Sequence, residues 1–315
     1  MPQITIPEAL FLGLVQGFTE WLPISSSGHL VIFESLLGIS VPADFNIVIM
    51  MGTIAALILY FRKKILLLVS GMVALERTAL MYIALIVLSG IPTGIIGFAG
   101  KQFFKGLFSE PFIVSLLIIV TGIFLFIASR PKNQKKEVDA KSALLIGVAQ
   151  GIAVAPGISR SGATIGTALL LGIKPKDAAE FSFLIGIPAM TIAAVLTYLE
   201  EPASGTGYAP LLVAIIAAFI AGYASIGLLM KWLQENRFYY FAIYCVIAGS
   251  IFAILTYRMG YYHHWFWRVV PVAAESSWSA GYADGIYPPD SIIFKTRQLF
   301  LPCLTQVSEQ SLYPH

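Results

Sequence analysis

Residues 9–38, ALFLGLVQGFTEWLPISSSGHLVIFESLLG, form a long apolar region that is interrupted near its middle. Pro23 and the run Ser25-Ser26-Ser27 separate its two halves. Neither half reaches the roughly 20 apolar residues that an α-helix needs to cross a bilayer. Interrupted hydrophobic segments of this kind point to helices that enter and leave a membrane on the same side. We therefore predict a re-entrant helical hairpin over residues 9–38.

A second interrupted region, residues 141–173, repeats the first at a constant offset along the chain. The alternative is that small residues recur in all membrane helices, but here glycines and serines stay in register on both sides of the interruption. The identical positions are Gly13, Gln16, Gly17, Ile24, Ser25, Ser27 and Gly28, which match Gly147, Gln150, Gly151, Ile158, Ser159, Ser161 and Gly162. The register favours an internal repeat with two equivalent hairpins.

The composition places the chain in a membrane. Of its 315 residues, 57% are hydrophobic and 12% are charged, with a mean hydropathy of +0.81. A soluble domain is about 45–50% apolar and about 25% charged. The values of this chain argue against a soluble enzyme, a nucleic-acid-binding protein and a disordered chain. Cys245 and Cys303 give no disulfide framework and no metal-ligand spacing. The six uninterrupted apolar segments, which we predict to be membrane spans, are 45–61, 79–99, 111–129, 178–199, 208–230 and 238–257.

The basic residues predict the orientation, because cytoplasmic loops carry an excess of Lys and Arg. They cluster at 62–77, 130–141, 174–176 and 231–237. Placing these clusters in the cytoplasm is consistent with six alternating spans and leaves both termini outside. Region 9–38 then enters from the outer face and region 141–173 from the inner face, so the two halves are inverted. No Lys or Arg precedes Arg62, and we therefore expect no signal peptide.

This organisation predicts one membrane domain, residues 1–259, built from repeats at about 5–129 and 140–257. Residues 260–315 form a C-terminal tail that begins with an aromatic and histidine-rich stretch, His263-His264-Trp-Phe-Trp267. We expect the tail to be interfacial or extracytoplasmic, and we expect its adjacent histidines to pack at the interface rather than to bind a metal.

A few polar residues inside the hairpins need a reason, because an ionisable group in a span costs about 2.5–3.5 kcal/mol on insertion scales. The first hairpin carries Glu20 and His29, with Gln16 one helical turn before Glu20 and on the same face. The second carries Arg160 at a helix start. The alternatives are that Glu20 and Arg160 form a structural ion pair, that Gln16 bonds another helix, and that His29 is a satisfied core residue.

Hydroxyl groups accompany these residues at the start of each second helix. A helix N-terminus favours anions, and an arginine fork matches phosphate oxygens. Two such termini that converge from opposite faces predict an anion site, although the serines could simply cap their helices. The hydroxyl residues are Ser25, Ser26, Ser27, Ser159, Ser161 and Thr164.

Two motifs carry a resemblance to a known family. The stretch from Gln16 to His29 resembles the (E/Q)xxxE and Ser-Gly-His motifs of the undecaprenyl-diphosphate phosphatase, or bacitracin-resistance, family. Residues 156–164, PGISRSGAT, match its PGxSRSxxT motif at every fixed position, and the similarity covers about residues 5–257. The chain has Gln16 where many members have Glu, Met50 where a polar residue is expected, and Cys245 where Arg is common.

The resemblance implies an all-α polytopic membrane phosphatase with six transmembrane helices and two re-entrant helical hairpins in an inverted-topology repeat. Its substrate is a polyprenyl diphosphate, cleaved to the monophosphate, which recycles the lipid carrier of cell-envelope synthesis. We expect Ser26 to be the nucleophile, with His29 as base or acid and Arg160 on the phosphates, while a phosphohistidine at His29 or direct attack by water stays open. The further phosphate-binding candidates are Ser25, Ser27, Ser159, Ser161 and Thr164.

The resemblance also implies a divalent cation, Mg²⁺ or Ca²⁺, at Glu20 with Gln16 as a second ligand. We expect the protein in the plasma membrane with its site facing outward, and we expect lipid rather than nucleic-acid partners. Gly90, Gly94 and Gly97 permit close helix contact within a subunit or in a homodimer. The rival function is a transporter or flippase of a polyprenyl phosphate, and an inactive scaffold is a third alternative. Phosphate release from micelles, with no second compartment, would separate the enzyme from the carrier.

Overall fold

The computed structural model describes residues 4–39, 41, 43–130, 136–200 and 206–259. Their regular structure is helical, apart from one isolated parallel bridge between Lys136 and Ile173. The expected interfacial tail, residues 260–315, lies outside the described residues. The helices are α1 (Ile6–Trp21), α2 (Ser26–Leu37), α3 (Ala43–Tyr60), α4 (Arg62–Val73), α5 (Arg77–Ala99), α6 (Lys101–Leu107), α7 (Pro111–Ala128), α8 (Ala140–Ile152), α9 (Arg160–Leu170), α10 (Pro175–Glu200), α11 (Tyr208–Gln234) and α12 (Tyr239–Arg258).

The six predicted spans are confirmed as helices α3, α5, α7, α10, α11 and α12. Five helices of the described chain are long and apolar enough to cross a bilayer, and α3 joined to α4 gives a sixth candidate. The chain is therefore an all-α polytopic membrane protein.

Helix α4 is a difference from the sequence analysis, which placed residues 62–77 in a loop. Residues 62–73 are helical, and the axis of α4 is bent by 74° from that of α3. The cluster Arg62-Lys63-Lys64 suggested a loop, but it is followed by Ile65-Leu-Leu-Leu-Val69, an apolar run without Gly or Pro that favours a helix. The basic cluster therefore follows the end of α3 at Tyr60 and begins a second, separate helix rather than a loop.

The first interrupted region folds as two short helices joined by a turn. Helix α1 has 16 residues and α2 has 12, so each is too short to span a bilayer. Pro23 lies in the turn, and the Ser25 side chain accepts a hydrogen bond from the Gly28 amide at 3.3 Å, which caps α2. Ser25 has a positive φ of 71°, a conformation that is strained for a residue other than glycine.

The second interrupted region repeats this construction. Helices α8 and α9 have 13 and 11 residues. Ser159 caps α9 by accepting a hydrogen bond from the Gly162 amide at 3.1 Å, as Ser25 does from Gly28. The equivalent caps confirm that both interrupted regions form the same pair of short helices.

Each hairpin packs against a helix of the other half. Gly13 of α1 lies so close to α11 that a Cβ atom there would be 2.5 Å from the Ala214 carbonyl oxygen. In the same way, a Cβ atom on Gly147 of α8 would overlap the Ser89 carbonyl oxygen of α5. Since α8 repeats α1 and α11 occupies the place in the second half that α5 has in the first, the contacts are reciprocal. This exchange is the arrangement expected of two structural repeats related by a two-fold axis.

The tips of the two hairpins contact each other. A Cβ atom on Gly28 would be 3.0 Å from the Cα atom of Gly157 in the turn before α9. The Ser161 hydroxyl also donates to the Leu22 carbonyl of the first turn at 3.1 Å. Gly157 has a φ of 93° and could not be replaced by another residue without strain. The tip-to-tip contact brings the polar residues of both hairpins into one place.

Candidate active site

An ion pair joins the two hairpins. The Nη2 atom of Arg160, the first residue of α9, lies 2.6 Å from Oε1 of Glu20 near the end of α1. The two side chains are only 14% and 10% exposed. A charge-assisted hydrogen bond in so little solvent is strong, and either charge alone would be costly.

The second oxygen of Glu20 accepts hydrogen bonds from two neutral side chains. Gln16 donates to Oε2 from its Nε2 atom at 2.9 Å, across one turn of α1. The Ser26 hydroxyl donates to the same oxygen. Gln16, Glu20, Ser26 and Arg160, all singled out in the sequence, thus form one hydrogen-bonded cluster. A hydroxyl that donates to a carboxylate beside a cation has the arrangement of a nucleophile with its base.

The guanidinium of Arg160 is further held by Trp21. Its Cζ atom lies 5.0 Å from the centre of the indole ring, which is a cation–π distance. The indole N–H donates to the Thr53 carbonyl of α3 at 3.2 Å, and the ring is fully buried. Trp21 was not among the predicted site residues, because a tryptophan at the end of an apolar helix is normally a packing residue.

His29 takes part in a separate contact. Its Nδ1 atom lies 2.8 Å from the Ser25 carbonyl oxygen, and its Nε2 atom lies 2.9 Å from the Tyr244 hydroxyl. Because a carbonyl only accepts, Nδ1 carries the proton of the neutral ring, and Nε2 accepts from Tyr244. The hydrogen bond of Ser26 goes to Glu20 rather than to His29. The role of His29 as base or acid stays a prediction.

Tyr244 is a residue that the sequence analysis missed. It lies on α12, 215 residues after His29, and its ring stacks on the imidazole at 5.8 Å between centroids. The neighbouring Cys245 is buried, with its Sγ atom 3.7 Å from the Pro23 carbonyl of the first hairpin turn. No local pattern in the sequence signals either contact, because both residues sit in an uninterrupted apolar span.

The remaining candidate hydroxyls have partners within the protein. Ser25 and Ser159 are helix caps, and Ser27 and Ser161 lie 3.5 and 3.2 Å from them. Thr164 donates to the Arg160 carbonyl at 2.8 Å. These contacts shape the starts of α2 and α9, and a role for these five residues in phosphate binding stays a prediction.

The cluster suits a divalent cation only in part. Its oxygen donors are the Glu20 carboxylate, the Ser26 hydroxyl and the side-chain carbonyl of Gln16. Among the described residues there is no group of three or more His, Cys, Asp or Glu side chains that could hold a metal. Mg²⁺ is typically bound by one or two carboxylates together with substrate phosphates. The donors therefore fit an ion shared with a phosphate ligand and do not fit one held by the protein alone.

The fold and the site together define a class of protein. It is a polytopic membrane protein in which two re-entrant helical hairpins, from reciprocal repeats, bring a carboxylate, a hydroxyl and a guanidinium together away from water. Residues 9–251 match the family model described as Bacitracin resistance protein BacA. Since the match covers most of the chain, the chain belongs to this family.

Curated relatives align with this chain over nearly their whole length. A protein of Desulforapulum autotrophicum named undecaprenyl-diphosphatase is 39% identical over 264 residues, 78% of this chain and 96% of the relative. Proteins with the same name from Syntrophotalea carbinolica and Methanosphaera stadtmanae are 41% and 37% identical. They cover 78% and 80% of this chain, and 97% and 99% of their own lengths are matched.

Proposed function

We propose that the chain is an integral membrane phosphatase that hydrolyses undecaprenyl diphosphate to the monophosphate and inorganic phosphate. The observation that carries the proposal is the hydrogen bond from the Ser26 hydroxyl to Glu20, on the carboxylate that also holds Arg160. A carrier needs charge compensation but no nucleophile. The relatives, which are named phosphatases, give the transporter alternative no support.

The reaction proceeds in two displacements. Ser26 Oγ attacks the terminal phosphorus while Glu20 takes its proton, so an O–P bond forms as the bridging P–O bond breaks and the lipid monophosphate leaves. Glu20 gives this proton to the departing lipid monophosphate and is a carboxylate again. Water then attacks the phosphoserine with Glu20 as base, the bond between phosphorus and Ser26 Oγ breaks, and Glu20 returns the proton to Ser26 Oγ as inorganic phosphate leaves. Phosphoryl transfer requires mainly positioning and neutralised charge, and Arg160 provides the positive charge at the cluster.

Arg160 also has unused capacity to bind phosphate. Its Nη1 atom is buried and has no hydrogen-bond partner in the part of the chain that the structure describes. A buried cationic donor without an acceptor is unfavourable. A phosphate oxygen that enters between the hairpin tips would supply the acceptor.

We include a divalent cation, Mg²⁺ or Ca²⁺, in the proposal. Glu20, Ser26 and the Gln16 carbonyl oxygen would hold it together with oxygens of the diphosphate. When bound, it supplies charge neutralisation at the phosphates. Removal of the ion with a chelator is then expected to abolish phosphate release, and excess Mg²⁺ or Ca²⁺ to restore it.

The site is proposed to face the outer side of the plasma membrane, with both termini outside. The support is the distribution of Lys and Arg, since an excess of these residues favours the cytoplasm for the segments at 62–77 and 231–237. A homodimer is a further proposal, supported by the open space around Gly90 and Gly94 of α5, where no described atom apart from the adjoining residues and backbone of α5 lies within 4 Å of an added Cβ.

The test is phosphate release from undecaprenyl diphosphate by the purified full chain in detergent micelles, which contain no second compartment. Binding of the lipid without release would contradict the enzyme. Replacing Ser26 by Ala is expected to lower the rate on the order of 100-fold or more, since attack and proton transfer are both lost. Ser70→Ala, at an exposed position of α4, is the control. A near-normal rate for Ser26→Ala would favour direct attack by water or by His29.

A further inference from the structure

A glycine in the interior of α10 lies against the guanidinium of Arg160. A Cβ atom on Gly186 would overlap Nη1 of Arg160 and lie 3.2 Å from its Cζ atom. Gly186 is itself buried. Glycine is less favourable than alanine inside a helix, so its presence here calls for a reason, and the close approach of the guanidinium supplies one.

The guanidinium cannot easily move aside to admit a larger residue. Its Nη2 atom is bonded to Glu20 at 2.6 Å, and its Cζ atom lies 5.0 Å from the Trp21 ring. Trp21 is in turn fixed, because its indole N–H donates to the Thr53 carbonyl and its ring packs edge-on against Phe183 at 5.4 Å. Trp21 and Gly186 therefore contact the same guanidinium from α1 and α10.

We propose that Trp21 and Gly186 form a slot that positions Arg160 for the proposed phosphatase reaction, and this inference rests on that function. The slot fixes the guanidinium so that Nη2 meets Glu20 while Nη1 is kept free for a phosphate oxygen. Trp21 and Gly186 are positioning residues, because they act through Arg160 and need not touch the substrate. Helix α10 contributes no member of the hydrogen-bonded cluster, but in this proposal it fixes the position of the Arg160 guanidinium.

The first experiment compares Gly186→Ala with Gly227→Ala, which adds the same methyl group inside α11, where the nearest atom is Tyr60 Cε2 at 3.9 Å. Displacement of a catalytic group by about 1 Å can cost on the order of 100-fold, and we expect a loss of that size in kcat/KM for Gly186→Ala. Gly227→Ala should stay within about twofold of the unmodified protein. Equal, near-normal activity for both variants would overturn the slot.

A double-mutant cycle separates positioning from a general packing defect. Lysine at position 160 keeps the positive charge but has no second nitrogen at the place of Nη1. In the Arg160→Lys protein, Gly186→Ala is therefore expected to cause no further loss of kcat/KM beyond about threefold. The same loss in both backgrounds would show that Gly186 serves packing alone and would contradict the inference.

Thermal unfolding in detergent gives a readout that does not depend on activity. With Arg160 present, Gly186→Ala should lower the unfolding midpoint, because the methyl group forces the guanidinium away from Glu20. In the Arg160→Lys background, the same change should leave the midpoint unchanged or raise it, since alanine is the better helix former. If the unmodified protein released no phosphate, the proposed function would fail while this cycle still tested the slot. A midpoint change that is equal in both backgrounds would overturn the slot.

The contribution of Trp21 follows from graded substitutions. Trp21→Phe keeps an aromatic face against Arg160 and the contact with Phe183, whereas Trp21→Leu removes the aromatic face. We expect kcat/KM to fall in that order, with partial retention in Trp21→Phe. Equal losses in the two variants would show that the size of the side chain, rather than its ring, is what matters, and would remove Trp21 from the slot.

Discussion

The Glu20 carboxylate contacts every other member of the hydrogen-bonded cluster. One of its oxygens is bonded to Arg160, and the other accepts from Gln16 and Ser26. An ionised carboxylate accepts hydrogen bonds at both of its oxygens, so it can receive all three donors at once. The same group is proposed to take the proton of Ser26 and to balance the charge of Arg160, which makes it more sensitive to substitution than its neighbours.

Replacing Glu20 by Gln tests this dependence. The amide cannot take a proton and leaves Arg160 buried without its counter-charge, so we expect phosphate release to fall by on the order of 100-fold or more and stability to fall by about 3 kcal/mol. Glu76→Gln, at an exposed position before α5, is the matched control. Phosphate release and thermal unfolding in detergent measure both effects, and normal values in either assay would show that the cluster is not organised by Glu20.

The residues of the cluster could be predicted from the sequence, but their partners could not. Gln16 and Glu20 share a helix face by spacing alone, and Arg160 stood out as a cation inside a membrane segment. The contacts of His29 with Tyr244 and of Arg160 with Trp21 depend on helices far apart in the chain. For an aromatic residue in an apolar span, the neighbouring sequence does not show whether the ring only packs in the core or holds a site residue in position.

The second hairpin has a helix cap at its beginning, before α8, as well as the cap at its tip. Asp139 accepts a hydrogen bond from the Ser142 amide at 2.8 Å, and the two residues form a capping box at the start of α8. The hydrogen bonds from the Ser142 side chain and backbone lower the pKa of Asp139 below its ordinary value. The charged cap thus anchors the second hairpin where it enters the membrane.

This cap predicts a loss of stability in acid. A carboxyl whose pKa is lower in the folded protein stabilises it above the unfolded-state pKa, and that contribution is lost as the pH falls through the folded-state pKa. We therefore expect Asp139→Ala to cost about 1 kcal/mol at neutral pH and the penalty to shrink below about pH 4. Asp139→Asn, which caps without titrating, should retain its stability there. A penalty for Asp139→Ala that did not change with pH would contradict the cap.

Helix α4 is predicted to lie along the membrane surface. It is bent by 74° from α3, with exposed basic residues at its start and exposed Leu66 and Leu67 after them. A nitroxide on Leu67→Cys should be more accessible to oxygen than to a water-soluble nickel complex, and one on Lys63→Cys should show the reverse. The measurement uses a Cys303→Ser background. Equal accessibility at both sites would place α4 in water.

The whole molecule depends on reciprocal packing between its halves. Gly17 of α1 approaches α11 so closely that a Cβ atom would lie 2.6 Å from the Ala218 carbonyl oxygen. Its repeat partner Gly151 would bring a Cβ atom to 2.8 Å from Cβ of Ile96 on α5. The repeat itself was predictable from the glycines and serines that recur in register in the two interrupted regions. The packing of α1 on α11 and of α8 on α5 could not be predicted, because a repeat in the sequence does not specify which helices pack against each hairpin.

The two glycines should differ in their tolerance of a methyl group. At Gly17 the obstruction is backbone, which cannot turn aside, and overpacking costs about 1–3 kcal/mol. At Gly151 the nearest atom is Cβ of Ile96 at 2.8 Å and the α5 backbone is not among the three nearest atoms, so the overlap is smaller and Gly151→Ala should cost less. Unfolding midpoints in detergent, with Gly227→Ala as the control, test the order Gly17, Gly151, Gly227 from most to least destabilising. A reversed order would mean that α1 does not pack tightly on α11.

The ion pair between the hairpins also has a consequence for biosynthesis. Glu20 and Arg160 are separated by 140 residues of chain. At about 5–20 residues per second, the ribosome needs roughly 7–28 s to make that stretch. During this interval the first hairpin contains Glu20, but its ion-pair partner Arg160 has not yet been synthesised. The contact that joins the hairpin tips can therefore form only after α9 has been made, so the first hairpin must complete its packing late in synthesis.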